Sequence, residues 1–231
     1  MIASVHIADV GARAALAVVR RAPRPASTRG LRHANVALTA PLSGSVLPSP
    51  NFGRVGLVAL WDDDDAVDGF LSEHPMAAAL AGGWHVRLDP IRAWGSWPGL
   101  PSDVTTDHGV EHDGPAVVLT LGRLRLTQAV RFLRASARAE GAAVEAAGLI
   151  WATGLARPPF VATCSLWQTT AALSTYAYGK REPAHPDAIA AHELEPFHHQ
   201  SAFIRFRPYG SEGNLHGRNP LTGAWMSASR T

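Results

Sequence analysis

Short runs of apolar residues, separated by turn residues, dominate the hydrophobic pattern of this chain. Val55–Trp61 (VGLVALW) and Ala116–Leu121 (AVVLTL) are continuous apolar runs with the length of one β-strand. Leu149–Leu155 and Phe160–Trp167 flank the turn Arg157-Pro158-Pro159, and this arrangement predicts a β-hairpin. The pattern therefore predicts buried strands along much of the chain.

Further strands are predicted near both ends of the chain, where the alternation is less regular. Ser4–Val10 and Asn35–Thr39 alternate imperfectly between apolar and polar residues. The apolar residues within Phe203–Phe206 mark a last strand. We expect Pro208 and Gly210 to end this strand, because proline cannot donate to a strand ladder.

Helical patterns lie between the predicted strands. Ala12–Arg20 is rich in alanine, and Leu126–Glu140 has a helical period with arginines on a separate face. The apolar face of this second helix is formed by Val130, Leu133 and Ala137. Two further helices are expected directly after Trp61 and Trp167. Each half of the chain then follows the order strand–helix–strand–strand–helix–strand.

Two segments of the chain resemble each other. LWDDDDAVDGFLSEHPMAAAL, from residue 60, matches LWQTTAALSTYAYGKREPAHPDAIAAH, from residue 166. The aligned pairs include Trp61 with Trp167, Phe70 with Tyr176, His74 with His185 and Pro75 with Pro186. Such a repeat indicates duplication of one supersecondary unit, in which each copy covers the apolar sheet face of the other.

We therefore predict an α+β fold of two ferredoxin-like (βαββαβ) repeats in one chain, a pseudo-dimer resembling a dimeric α/β-barrel. The predicted boundaries are residues 1–97 for the first half and 115–210 for the second. Residues 98–114 form a linker rich in Gly, Pro, Ser and Asp, and residues 211–231 form a polar C-terminal tail. A cavity is expected between sheet and helices.

Composition and charge narrow the function classes. The net charge is only +2 and the arginines are spread along the chain, which disfavours nucleic acid binding. Cys164, the only cysteine, excludes an intrachain disulfide, and its apolar run FVATCSLW predicts a buried strand residue. No stretch reaches the roughly 18 apolar residues of a membrane span. The N-terminal MIASVHIADVG lacks the basic region of a signal peptide, so a cytoplasmic location is expected.

Several longer stretches carry a resemblance to a known family. They are PNFGRVGLVALWDDDDAVDGFL, WHVRLDPIRAWGSWPG, PAVVLTLGRLRL, GLIWATGLARPPFVATCSLWQTTAAL, AHPDAI and AFIRFRPYGSEG, which cover most of residues 50–213. In order and spacing they resemble the spheroidene monooxygenase-like family, relatives of a carotenoid-oxidising enzyme. The resemblance implies a haem b protein that uses molecular oxygen and a ferredoxin-type electron donor on a small hydrophobic, terpenoid-like substrate.

A haem oxygenase of this kind needs an axial donor to the iron, an open opposite face and cations for the propionates. His185 is our first candidate for the metal ligand, because it precedes a helix opened by Pro186 and Asp187 and could project into the cavity. The alternative for His185 is a helix N-cap that faces solvent. His74, its partner in the repeat, is the second candidate for the ligand.

Other candidate residues lie near the last predicted strand. His198 and His199 are candidates for the distal pocket, and at most one should face the cavity because adjacent residues on an extended segment point to opposite faces. Arg205 and Arg207 are candidates for binding the propionates, and the alternative is an edge strand with its charges in water. Asp62–Asp65 is interpreted as a helix start with one N-cap, rather than a metal site.

Three functions remain open from the sequence. A haem-dependent monooxygenase is the first. The second is a haem-dependent dehydratase or an enzyme that rearranges a nitrogen–oxygen bond on the same fold, and the third is a non-enzymatic binder of an apolar ligand. The internal duplication makes a monomer self-sufficient, and a homodimer is also compatible with it.

Overall fold

A computed structural model gives the fold and describes residues 1–104, 112–178 and 195–222. The strands in these residues are β1 (Ile2–Asp9), β2 (Leu31–Ala40), β3 (Asn51–Trp61), β4 (Trp84–Gly95), β5 (Ala116–Leu124), β6 (Leu149–Arg157), β7 (Phe160–Trp167) and β8 (His198–Gly213). The α-helices are α1 (Ala12–Arg20), α2 (Asp64–Glu73), α3 (Pro75–Leu80), α4 (Ala129–Glu145) and α5 (Thr170–Tyr178). Short 3₁₀ helices occupy Pro25–Ser27 and Leu126–Gln128.

The strands close into an antiparallel barrel in the order β1-β3-β2-β6-β7-β5-β8-β4. Within this ring the first half contributes the neighbours β4-β1-β3-β2 and the second half the neighbours β8-β5-β7-β6. The two halves meet where β2 pairs with β6 and where β4 pairs with β8. The chain is therefore an α+β protein built on a closed eight-stranded barrel, in which every one of these strands has a neighbour on both sides.

The barrel interior is filled by alternate residues of each strand, as the two-residue period of a strand requires. On β5, Val117, Leu119 and Leu121 point inward and are buried in the central core. Val118 points outward and joins a separate cluster under the helices. Outward-facing apolar side chains thus pack beneath the helices in clusters of their own.

Both halves place a pair of aromatic rings against the outer face of the barrel. In the first half, Trp61 packs on Phe70 with 5.2 Å between ring centroids. In the second half, Trp167 packs on Tyr176 with 5.1 Å between centroids. The hydroxyls that accept from the two indole N–H groups are those of Ser4 (2.8 Å) and Ser165 (2.9 Å). Residues aligned in the sequence repeat therefore occupy corresponding places in the two halves.

A glycine in the left-handed region precedes the second strand of each half. Gly30 has φ 66°, and a Cβ added to it would lie 2.4 Å from the Cβ of Ala66. Gly148 has φ 88°, and a Cβ added to it would lie 2.6 Å from the Cβ of Ala172. Only glycine tolerates both this φ and this close approach of the helix. The sequence analysis did not single out either glycine.

The structure corrects two predictions for the last strand. β8 does not end at Pro208 or Gly210 but continues to Gly213, so the predicted tail from residue 211 begins inside a strand. Pro208 lies opposite Leu88, next to a register irregularity, and proline is tolerated in strands at such places. β8 is also not an edge strand, because it pairs with β4 on one side and β5 on the other.

A third correction concerns the helix predicted over 126–140. Its first turn is 3₁₀ and the α-helix runs on to Glu145. Ala137 is buried, as expected for the apolar face, but Val130 is 62% exposed. Helix periodicity gives the face, whereas burial depends on what the barrel places beneath it. Within the described ranges, every helix is too short or too polar to span a lipid bilayer.

The predicted domain boundaries stay a prediction. β4 ends at Gly95 and β5 begins at Ala116, so the proposed linker 98–114 lies between the two halves. Residues 105–111 of that linker and residues 223–231 of the predicted tail lie outside the described residues.

Candidate active site

Two buried arginines lie side by side on the outer face of the barrel, where β4 of the first half pairs with β8 of the second. Arg92 of β4 pairs in register with Arg205 of β8, and the two residues are only 3% and 6% exposed. Their neighbours Ala93 and Ile204 belong to the barrel interior, so the two arginines point to the outer face of the barrel. Each guanidinium group can donate charge-assisted hydrogen bonds to a carboxylate.

Aromatic rings flank these arginines. Trp94 and Phe203 are the next outward-facing pair, with 5.7 Å between ring centroids in an edge-on arrangement. The guanidinium carbon of Arg92 lies 3.4 Å from the centroid of the Trp94 ring. A cation over an indole face is stabilised by the ring quadrupole, so this contact fixes the position of Arg92. The site thus combines buried cations with apolar walls.

The two arginines predicted to bind propionates differ in their surroundings. Arg205 is buried beside Arg92, whereas the Arg207 side chain is 54% exposed. Arg207 forms an ion pair with Asp89 at 2.5 Å on the barrel surface. The edge-strand alternative is wrong for both, because β8 lies between β4 and β5.

The imidazole of His198 lies on the same outer face as the arginines. A Cβ added to Gly122 would fall 2.5 Å from ring atoms of His198, so the ring packs directly on the backbone of β5. Phe132 of α4 contacts the other side of the ring, with 5.2 Å between centroids. His199 points away from this site and is exposed, as expected for adjacent residues of a strand.

His74 acts as the N-cap of α3. Its Nδ1 accepts a hydrogen bond from the backbone N–H of Met76 at 3.1 Å, and its ring packs on Phe70 with 5.0 Å between centroids. Partial burial lowers the pKa of His74 below its ordinary value, so its ring stays neutral and keeps this acceptor role. His185, the first candidate for the ligand, lies outside the described residues.

The acidic run Asp62–Asp65 starts α2, as predicted. Asp63 caps the helix by accepting from the N–H of Ala66 at 3.0 Å. The neighbouring carboxylates form ion pairs instead of converging, Asp62 with Arg32 and Asp64 with Arg87, each at 2.7 Å. Among the residues that the structure describes, no group of three or more His, Cys, Asp or Glu side chains could hold a metal ion.

The first half has its own buried polar group, which the sequence analysis missed. His6 on β1 is 3% exposed, and its Nε2 lies 3.0 Å from the Ser4 hydroxyl, which accepts from the Trp61 indole. The His85 ring stacks on His6 with 5.1 Å between centroids. Burial, with the nearby His85 and Arg87, lowers the pKa of His6 to about 3. His6 therefore remains a neutral, hydrogen-bonded core residue.

Proteins named spheroidene monooxygenase match this chain. The protein from Rubrivivax gelatinosus is 34% identical over 175 residues, which cover 73% of this chain and 66% of that protein. This chain belongs to the spheroidene monooxygenase-like family. The match to the Rhodobacter capsulatus protein is 27% identical over 184 residues and covers 75% of this chain and 74% of that protein. The match to the Cereibacter sphaeroides protein is 25% identical over 182 residues and covers 75% of this chain and 55% of that protein.

This member of the spheroidene monooxygenase-like family thus spans about two thirds of the Rubrivivax gelatinosus protein and about half of the Cereibacter sphaeroides protein. No protein-family model matches the chain. Among solved structures, the aldoxime dehydratase OxdRE in complex with butyraldoxime has a TM-score of 0.54 at 10% identity, covering 97% of this chain and 84% of that chain. Another aldoxime dehydratase has a TM-score of 0.51, also at 10% identity, covering 93% and 84%. These structures share the fold alone.

The haem that the family resemblance implies can be tested against the donors present. Haem needs cations for its propionates, apolar walls and one strong axial donor. The buried arginines and the aromatic rings around them fit the first two requirements. Cys164 does not fit the third, because it lies inside the barrel and burial raises the pKa of its thiol to about 12.

Proposed function

We propose that this chain is a haem-dependent monooxygenase that acts on a hydrophobic, carotenoid-type substrate. The observation that carries the proposal is the 34% identity over 175 residues to a spheroidene monooxygenase. The buried arginine pair at the junction of β4 and β8 supports it, because a haem brings two carboxylates that can accept from guanidinium groups. A cytoplasmic location and a ferredoxin-type electron donor are further parts of the proposal.

We assign the following residues to haem binding. Arg205 and Arg92 would hold the propionates, and Trp94 and Phe203 would keep water from these contacts. His185 would ligate the iron, with His74 as the second candidate. The bound haem b supplies the iron that activates oxygen.

His198 is the distal candidate on the described part of the site. The His198 ring packs between Gly122 and Phe132, and these contacts restrict its orientation. The imidazole can therefore offer a hydrogen bond from a fixed position. His199 is a weaker distal candidate, since its side chain is exposed on the other side of the strand.

We also propose that the two halves are diverged ferredoxin-like repeats that form a pseudo-dimer within the chain. The strand orders β4-β1-β3-β2 and β8-β5-β7-β6 support this, as do the equivalent aromatic pairs and the two left-handed glycines. One half then plays the part that a second subunit plays in a dimeric barrel. A monomer is therefore sufficient for the site, and a homodimer remains compatible.

The alternatives from the sequence have less support. A dehydratase or an enzyme acting on a nitrogen–oxygen bond shares the fold with the aldoxime dehydratases, but at 10% identity that likeness does not extend to chemistry. A requirement for an external electron donor separates the monooxygenase from the dehydratase. A non-enzymatic binder would hold the apolar ligand and leave it unchanged.

Absorption spectroscopy of the purified chain, supplemented with haem and desalted, tests the cofactor. We expect a Soret band that shifts or disappears in His185→Ala and persists in His74→Ala. Loss of the band in His74→Ala alone would move the ligand to His74, whereas a colourless wild type would exclude haem. His198→Ala should keep the Soret band, but the shift of this band on ligand binding should differ from that of the wild type.

A matched pair of arginine variants tests the propionate site. Arg205→Gln should weaken haem retention about 10- to 100-fold, because a buried charge-assisted hydrogen bond is lost. Arg207→Gln removes an arginine two residues away on the surface and should retain haem like the wild type. Equal effects of both variants would contradict the assignment.

Turnover tests the reaction itself. The haem-loaded chain, given reduced ferredoxin, oxygen and spheroidene, should form an oxygenated carotenoid. Product formed without an electron donor, or from an aldoxime in its place, would favour the dehydratase alternative. Retention of an unaltered carotenoid would favour the binder.

A further inference from the structure

A line of exposed residues follows one side of α4 and the 3₁₀ turn before it. Leu126 and Val130 are 67% and 62% exposed, and Arg134 and Arg138 continue the line at the same four-residue spacing. Residues four apart lie one above the other on a helix. We call these four residues the α4 stripe. It begins with two apolar side chains and continues with two cations.

Further arginines flank the apolar end of the α4 stripe. Two shallow grooves meet at Thr127, one on each side. The first groove is lined by Arg123, Leu124, Arg125, Leu126, Thr127, Pro159 and His199. The second is lined by Thr127, Val130, Arg131, Arg134, Ala135, Arg138 and Phe197. Among the described residues, one acidic side chain forms an ion pair with the arginines of this region. It is Glu195, whose carboxylate lies 3.2 Å from the guanidinium of Arg131. The surface is therefore cationic around an apolar centre.

We propose that the α4 stripe is the surface by which this chain docks on an anionic lipid bilayer. Leu126 and Val130 would enter the interface below the headgroups, and the surrounding arginines would contact lipid phosphates. Charge complementarity identifies the occupant as anionic. The exposed aliphatic side chains at its centre favour a lipid surface over an acidic protein, because a bilayer removes them from water.

The docking surface adjoins the candidate active site. Phe132 of α4 contacts the His198 ring, and Phe197, which lines the second groove, contacts Phe132 with 6.0 Å between centroids. A lipid-soluble substrate that left the bilayer at this surface would therefore meet the site directly. The docking proposal does not depend on haem or on turnover, so each can fail without the other.

Vesicle co-sedimentation of the full chain tests the electrostatic part. Vesicles of phosphatidylglycerol and phosphatidylcholine should sediment the chain, and pure phosphatidylcholine vesicles should not. The double variant R134Q/R138Q should partition about 30-fold more weakly, from the attraction of two basic residues to an anionic surface. The matched control is R13Q/R20Q, which removes two exposed arginines from α1 of the first half. An equal loss in both double variants would overturn the proposal.

Fluorescent labelling tests insertion. Because Cys164 is fully buried and the pKa of its thiol is raised to about 12, a cysteine introduced by Val130→Cys can be labelled selectively. An environment-sensitive label at this position should shift to the blue with anionic vesicles, whereas a label placed by Leu16→Cys on α1, 56% exposed in the wild type, should not. No shift at position 130, an equal shift at position 16, or a shift with acidic ferredoxin but not with vesicles would overturn the proposal.

Discussion

The outer face of the first half encloses the neutral ring of His6, whereas the outer face of the second half encloses the cationic side chain of Arg205. The frame around them is the same. Trp61 and Trp167 pack on an aromatic residue of the following helix at almost equal distances. The two halves thus share their construction and differ in the chemistry that they bury.

The two places differ in the polar groups that they bury. His6 satisfies its hydrogen bond within the protein, through the Ser4 hydroxyl that Trp61 also uses. Arg92 and Arg205 lie side by side where the two halves meet, and both are buried. The proposed function assigns the cofactor contacts to this arginine pair and gives His6 no part in them.

Removing the equivalent tryptophans should have the largest effect on stability. Trp61→Ala and Trp167→Ala each delete a fully buried ring and leave a serine hydroxyl without its donor, so each should lower the free energy of unfolding by about 3–5 kcal/mol. Denaturant unfolding of both variants measures this. A cost for one that is less than half of the other would break the proposed equivalence of the halves.

The left-handed glycines give a second test of whether the two halves are built alike. Gly30→Ala and Gly148→Ala should each cost about 2 kcal/mol, because alanine is strained at these φ values and its Cβ would overlap an alanine of the adjacent helix. Chemical denaturation checks both values. Combining each change with Ala66→Gly or Ala172→Gly should recover the overlap part of the cost. No recovery in either double variant would assign the whole cost to φ.

The smallest expected effect is a pH dependence that belongs to the first half. The pKa of His6 is lowered from 6.5 to about 3 in the folded chain, so as the pH falls below 6.5 the unfolded state takes up a proton that the folded state does not. His6 should therefore lower the free energy of unfolding by about 1.5 kcal/mol between pH 6.5 and 5. His6→Phe should remove this contribution and the exposed His199→Gln should retain it. An unchanged slope in His6→Phe would contradict the prediction.

The resemblance between the two segments was visible in the sequence because large side chains recur at matched positions. Aligning Trp61 with Trp167 and Phe70 with Tyr176 identified residues that the structure places in corresponding packing. The glycines at 30 and 148 were missed, because the connection between the second and third strands differs in length between the halves and shifts the spacing. Their signal was a glycine directly before an apolar strand.

Candidate site residues were predicted less completely. Arg205 was found because it lies on the last predicted strand, between the apolar residues Ile204 and Phe206, and Arg92 was missed although it precedes Trp94 by two residues on one strand face. The strand period alone shows that Arg92 and Trp94 share a face. It does not show that this face meets Arg205, since that contact joins strands from the two halves of the chain.

The sequence alone located seven of the eight strands, most helix positions and the matched aromatic residues of the two halves, because these depend on local periodicity and on side-chain volume. Only the tertiary structure decided which outward-facing residues become buried and which stay in water. Arg205 and Arg207 have the same chemistry and strand face, yet closure of the barrel buries one beside Arg92 and leaves the other paired with Asp89 at the surface. Burial depends on neighbours that are distant in the sequence, and the local hydrophobic pattern does not identify these neighbours.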